Sequence, residues 1–197
     1  DIKKLYNYLK DKDLLLIEEV IKQHDYLNKL YSKSINRVTV ITLLYNDITY
    51  IISMNLNLGN NSIVDSLKRG GMTNKIDIET GTSLHPFCDR GLNNYYFHPI
   101  TKEKINNIKL PYINEIKLLV KDLSNIIKSV RYVSWDIAIT NDGPILLGAS
   151  PLPNIYQFFI HNEDNKGILP LINEILNKES SVDSIEIKKD DKLSISN

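Results

Sequence analysis

The sequence of 197 residues predicts an α+β domain built on a mainly antiparallel sheet flanked by helices. Two pairs of β-rich runs, Val38 to Tyr45 with Ile48 to Met54 and Tyr132 to Ile139 with Pro144 to Leu147, are each joined by a short turn-favouring stretch, as hairpins require. Between the pairs lies one long helical pattern. Ile113, Ile116, Leu119, Val120, Leu123, Ile126 and Ile127 fall on a single face of it.

In chain order, Ile2, Leu5, Tyr6 and Leu9 have helical spacing and predict a short amphipathic helix over 2–10 that covers a sheet. Leu14 to Ile21 is an apolar run broken by Glu18 and Glu19, which reads as a buried strand with a polar end. His24 to Tyr31 follows as a short helix or loop. In the first hairpin, Asn46-Asp47 supplies the turn. From Asn55 the chain is polar and carries Gly59, Gly70 and Gly71, with a short strand expected at Lys75 to Ile78. Glu79 to Pro111 shows no sustained periodicity, and a connection of that length inside a compact domain is often functional. Asp142-Gly143 is the turn of the second hairpin, because these residues tolerate positive φ. A last helix is expected at Ile168 to Asn177. The polar, lysine-rich stretch 178–197 reads as a mobile tail, leaving 1–177 as the folded domain.

Composition narrows the function. The 24 basic and 24 acidic residues cancel, which argues against a general nucleic-acid binder, whose basic groups gather on one face. No apolar run approaches the roughly 18 residues of a membrane span. The single cysteine, Cys88, cannot pair within the chain and reads as an incidental thiol, so a reducing, cytoplasmic setting is expected. His85, His98 and His161 lack metal-ligand spacing, and Trp135 reads as a core residue.

Taken alone, the clearest chemical signal is Asp136 on the second hairpin, since a strand carboxylate with a polar group on its antiparallel neighbour can hold a divalent cation. The segments Ile17 to His24, Ser34-Ile35-Asn36, Val64-Asp65 with Gly70-Gly71, Ile76-Asp77 with Thr80-Gly81, His98-Pro99 with Thr101, and Tyr132 to Pro144 together resemble the ATP-grasp proteins associated with sugar transfer, a branch related to α-L-glutamate ligases. The resemblance runs over about 14–160 and is most specific from Trp135-Asp136 to Asp142-Gly143-Pro144.

That resemblance implies two α+β lobes clamping ATP, with magnesium bridging its phosphates to carboxylates on paired strands. A carboxylate would be activated as an acyl phosphate and attacked by an amine or thiol. It places Glu18, Glu19, Gln23 and His24 at the nucleoside, and Asn36, Arg37 and Asp65 near phosphate or substrate. It gives Asp136 and Ser150 to the metal, and Gly70, Gly71, His98 and Thr101 to the substrate side. It also implies that the lobe carrying a lysine and a glycine-rich loop is missing, so that the chain is a C-terminal portion.

The departures from the family pattern are informative. Asn-Thr-hydrophobic-Arg becomes Asn36-Arg37-Val38-Thr39, so Thr39 stands where an arginine is expected. Arg37 shares a face with position 39, one pleat away. The arginine before Leu58-Gly59 is Asn57, the asparagine after Asp65 is Ser66, and Glu-Gly-Asn after the last apolar run becomes Gly148-Ala149-Ser150. Loss of one cationic group can cost phosphoryl chemistry about 10³ to 10⁵ in rate. The expectation is therefore an ATP-grasp-like domain of cell-surface polysaccharide biosynthesis with impaired turnover on a sugar- or peptide-linked substrate. The alternative is a non-catalytic module that keeps the cleft for a sugar, peptide or partner protein.

Overall fold

The computed structural model describes residues 1–14, 18–153 and 167–177. Among them the sheet has seven strands: β1 (Val38–Tyr45), β2 (Ile48–Leu58), β3 (Met72–Lys75), β4 (Phe87–Asp89), β5 (Asn94–Tyr95), β6 (Tyr132–Thr140) and β7 (Gly143–Ser150), in the order β5-β4-β3-β2-β1-β6-β7. Every pairing is antiparallel. The helices are α1 (Ile2–Asp11), α2 (Asp25–Leu30), α3 (Ile113–Ile126) and α4, which spans 169–177.

Both hairpins form where turn chemistry and β-branched runs place them. Asn46 and Asp47 adopt positive φ in the first turn, and Gly143 has φ of 127° in the second. The two hairpins lie side by side, because β1 pairs with β6 as well as with β2. Alternation then sorts the side chains. Val38, Val40, Met54, Leu56, Leu58, Met72, Trp135, Ile137 and Ile139 face the main core, against Leu27 and Leu30 of α2 and Ile116 and Val120 of α3. Burying each large aliphatic side chain contributes about 1.5–3 kcal/mol. Trp135 is a core residue, its indole N–H donating to Thr42 Oγ1 at 2.8 Å. On the opposite face Ile41, Ile52 and Ile175 of α4 form a smaller cluster.

Four expectations need correction. The helix predicted at 2–10 forms, yet α1 buries none of its residues and covers no sheet. Residues 18–23 are not a strand: Glu18, Glu19 and Val20 are exposed, and their backbone finds no ladder partner. The expected strand at 75–78 falls earlier, at β3, and continues only as an isolated bridge from Ile76 to Ser83. The stretch 79–111 holds β4 and β5, each too short to leave a period in the sequence. The tail at 178–197 lies outside the described residues.

Candidate functional site

The site is assembled where β1 lies between β2 and β6. Thr39 is directly opposite Asp136 on β6, and the backbones of Arg37 and Asn57 exchange hydrogen bonds of 3.1 and 2.8 Å just beyond the start of β1. Arg37 and Thr39, two residues apart, therefore point to the same face as Asp136. Asp65 arrives on the loop after β2.

These side chains form one ion-pair network. Arg37 Nη1 donates to Asp136 Oδ2 at 2.5 Å and Arg37 Nε donates to Asp65 Oδ2 at 3.2 Å. Thr39 Oγ1 donates to Asp136 Oδ1 at 2.9 Å, and Asn57 Nδ2 donates to Thr39 Oγ1 at 2.9 Å. Both oxygens of Asp136 are thus engaged by protein. The Asp65 side chain is 11% exposed, against 30% for Arg37 and 31% for Asp136. Burial pushes the Asp65 carboxyl above its ordinary value, with Asp136 adding to the rise and the Arg37 charge opposing it. Thr39 and Asn57, the two residues standing where arginines are expected, are the ones that complete this network.

A second polar cluster holds the loop that carries Asp65. Gln23 Nε2 donates to the carbonyls of Tyr31 and Ser34, both at 2.9 Å, and Gln23 Oε1 accepts from the backbone and side-chain nitrogens of Asn36, both at 3.0 Å. Asn36 is fully buried, and its Oδ1 accepts from Gly59 N at 3.2 Å. His98, also fully buried, bonds the Gly59 carbonyl through Nε2 at 2.8 Å and stacks on Tyr31 with ring centroids 5.0 Å apart. The Tyr31 hydroxyl donates to the Ser62 carbonyl and accepts from the Ser62 N–H. Thr101 Oγ1 donates to the Leu30 carbonyl at 2.9 Å. Gly70 supplies a φ of 87°, and a Cβ at Gly71 would lie 2.5 Å from the Asp65 carbonyl oxygen. Only glycine lets that strand start approach the loop so closely.

Of the residues read from the sequence as ligand contacts, Arg37, Asp65 and Asp136 come together. Gln23, Asn36 and His98 instead bond within the fold around Gly59; Gly70 and Gly71 shape the loop that carries Asp65, and Thr101 bonds the Leu30 carbonyl. His24 caps α2, accepting the Tyr26 N–H at Nδ1, and its own N–H bonds the Ile139 carbonyl. Glu18 and Glu19 are exposed. Glu19 lines a cleft of about 360 Å³ with Lys22, Thr140, Asp142 and Pro144, which shares no residue with the Arg37 network. The signal for Thr39 and Asn57 lay in strand alternation joined to knowledge of which strands neighbour each other. The second half of that was not in the sequence.

A magnesium ion requires several oxygen ligands in octahedral array. Gly148 stands opposite Asp136 and has no side-chain ligand, while Ser150 Oγ is turned to the backbone of Leu152. Among the described residues no group of three or more His, Cys, Asp or Glu side chains is arranged to hold a metal ion. As the side chains stand, the donor set does not fit a magnesium ion: Asp136 has both oxygens engaged by Arg37 and Thr39, and Ser150 Oγ is bonded to the Leu152 backbone. No helix among the described residues is long and apolar enough to cross a membrane.

Comparison with known proteins agrees with the architecture. A family model described as sugar-transfer associated ATP-grasp matches residues 2–176. No match was found among curated proteins or among solved structures.

Proposed function

Because this chain belongs to the sugar-transfer associated ATP-grasp family, we propose that it is an ATP-grasp-like domain of polysaccharide biosynthesis that has lost the ligase turnover of its lineage. Proteins of this family generally bind ATP and magnesium. One observation carries the reading: Asp136 faces Gly148, so the strand pair presents a single carboxylate where the family pattern has two. Phosphoryl chemistry depends on charge stabilisation around the transferred group, and both arginine positions, now Thr39 and Asn57, are neutral. A nucleoside would lie in the cleft beside Glu19, and the substrate would be a sugar- or peptide-linked carboxylate or amine.

The test is calorimetry with Mg-ATP combined with an assay for ADP release in the presence of candidate carboxylates and amines. The expected result is no release above background and weak or no heat of binding. Low-micromolar affinity abolished by Asp136→Ala, or ADP release lost in that variant, overturns the reading.

The intact polar cluster of Gln23, Asn36, Tyr31 and His98 favours a second reading, in which the fold is kept as a non-catalytic module for a sugar, peptide or partner protein. Gln23, Asn36 and His98 match the resemblance while Thr39, Asn57 and Gly148 depart from it, which supports a role for the scaffold itself. Binding of an oligosaccharide or peptide without nucleotide would select it over the first.

A further inference from the structure

We infer that Arg37 is the resident cation of this site: its guanidinium bridges Asp65 and Asp136, takes the position a divalent ion would need, and excludes that ion. The inference concerns the same site as the proposed loss of turnover but stands on the ion-pair geometry alone.

Two carboxylates converging on one partly buried site repel, and each loses solvation that something must replace. Arg37 is the cation acting on Asp65, and it also touches Asp136 through a different nitrogen. A guanidinium suits this role because its charge is permanent and its donors are fixed in a plane. The side chain is held from its base, since Arg37 and Asn57 exchange backbone hydrogen bonds and Asn57 Nδ2 donates back to the Arg37 carbonyl at 3.3 Å. A metal ion approaching Asp136 meets Arg37 on Oδ2 and Thr39 on Oδ1. It would have to break one or both contacts, strand the Arg37 charge, and find its remaining ligands outside the strand pair.

The opposite side of Asp136 makes the inference testable. A Cβ built at Gly148 meets no atom within 4 Å, so a larger side chain has room there, on the same face as Asp136. Removing Arg37 and adding a carboxylate at Gly148 should convert the triad into a metal site in which the new carboxylate joins those of Asp136 and Asp65.

Mn²⁺ alone, without nucleotide, is the probe, read by paramagnetic resonance of the free ion on the full chain, with circular dichroism to monitor folding. Wild type should bind weakly and be indifferent to Asp136→Asn. The Arg37→Ala, Gly148→Glu double variant should gain affinity by about 10- to 100-fold, the range over which surrounding groups tune metal sites, and lose the gain when Asp136→Asn is added. A folded double variant with no gain overturns the inference, as does wild-type binding that Asp136→Asn abolishes. If the double variant does not fold, the comparison of wild type with Asp136→Asn still decides. ADP release from a protein indifferent to Mn²⁺ at Asp136 would refute the proposed function and leave the resident cation standing. Mn²⁺ held at Asp136 without turnover would do the reverse.

Discussion

His98 is held in one tautomer by its surroundings. Nδ1 accepts the N–H groups of Ile100 and Thr101 at 3.2 and 3.3 Å, so the proton of the neutral ring sits on Nε2 and is donated to the Gly59 carbonyl. Burial depresses its pKa below the ordinary 6.5. A histidine depressed in the fold contributes stability that is complete above 6.5 and is lost as pH falls through the folded value. Thermal midpoints of wild type should therefore drop in this acidic window, and His98→Gln should flatten that part of the profile. Asp65 has the opposite sign: its raised pKa means that stability is lost as pH rises from 3.8 through the folded value. The two acidic partners of Arg37 also predict an asymmetry. Arg37→Ala leaves Asp65 buried without its cation and should cost about 1–3 kcal/mol, between the values for exposed and buried pairs, whereas Asp65→Asn should leave stability at neutral pH equal or higher. Urea unfolding at neutral pH measures both.

At the scale of elements, the loop between β2 and β3 delivers Asp65, and its geometry is set by close backbone contact. A Cβ at Gly71 would lie 2.5 Å from the Asp65 carbonyl oxygen and 2.9 Å from that of Ser66, neither of which can rotate away. Gly71→Ala should destabilise by about 1–3 kcal/mol through this overpacking. Gly148→Ala, on β7 with nothing within 4 Å, should change stability by less than about 0.5 kcal/mol. Shifts in the urea midpoint at constant slope distinguish the two. The β6–β7 hairpin was legible because Asp142-Gly143 demands a tight turn, and the departure at Gly148 could be named before its neighbour was known. The opposition of Asp136 and Gly148 then follows from local register. The cluster around Gly59 was not legible in this way. Gln23, Asn36 and His98 come from three separate segments, and a polar residue gives no sign in the sequence of whether its partner is a ligand or a distant carbonyl.

At the scale of the whole molecule, the sheet is two-sided: one face packs on α2 and α3, and the other carries the Arg37 network and the small cluster with α4. Helix α1 stands outside this arrangement. It has an apolar stripe but buries no residue, so deletion of 1–11 should shift the stability of the remaining chain by less than about 0.5 kcal/mol, as measured by thermal or urea unfolding. A large loss would mean that α1 packs in solution.

Local chemistry in the sequence was enough to determine the two hairpins, the long helix α3, the α+β class and the position of Asp136, because turn residues and hydrophobic period act over a few neighbouring residues. Only the tertiary structure decided that Arg37 joins Asp65 to Asp136, residues 28 and 99 positions away along the chain. The pairing of β1 with β6 brings those groups together, and it is selected by burial of a shared apolar face rather than by any pattern within either strand.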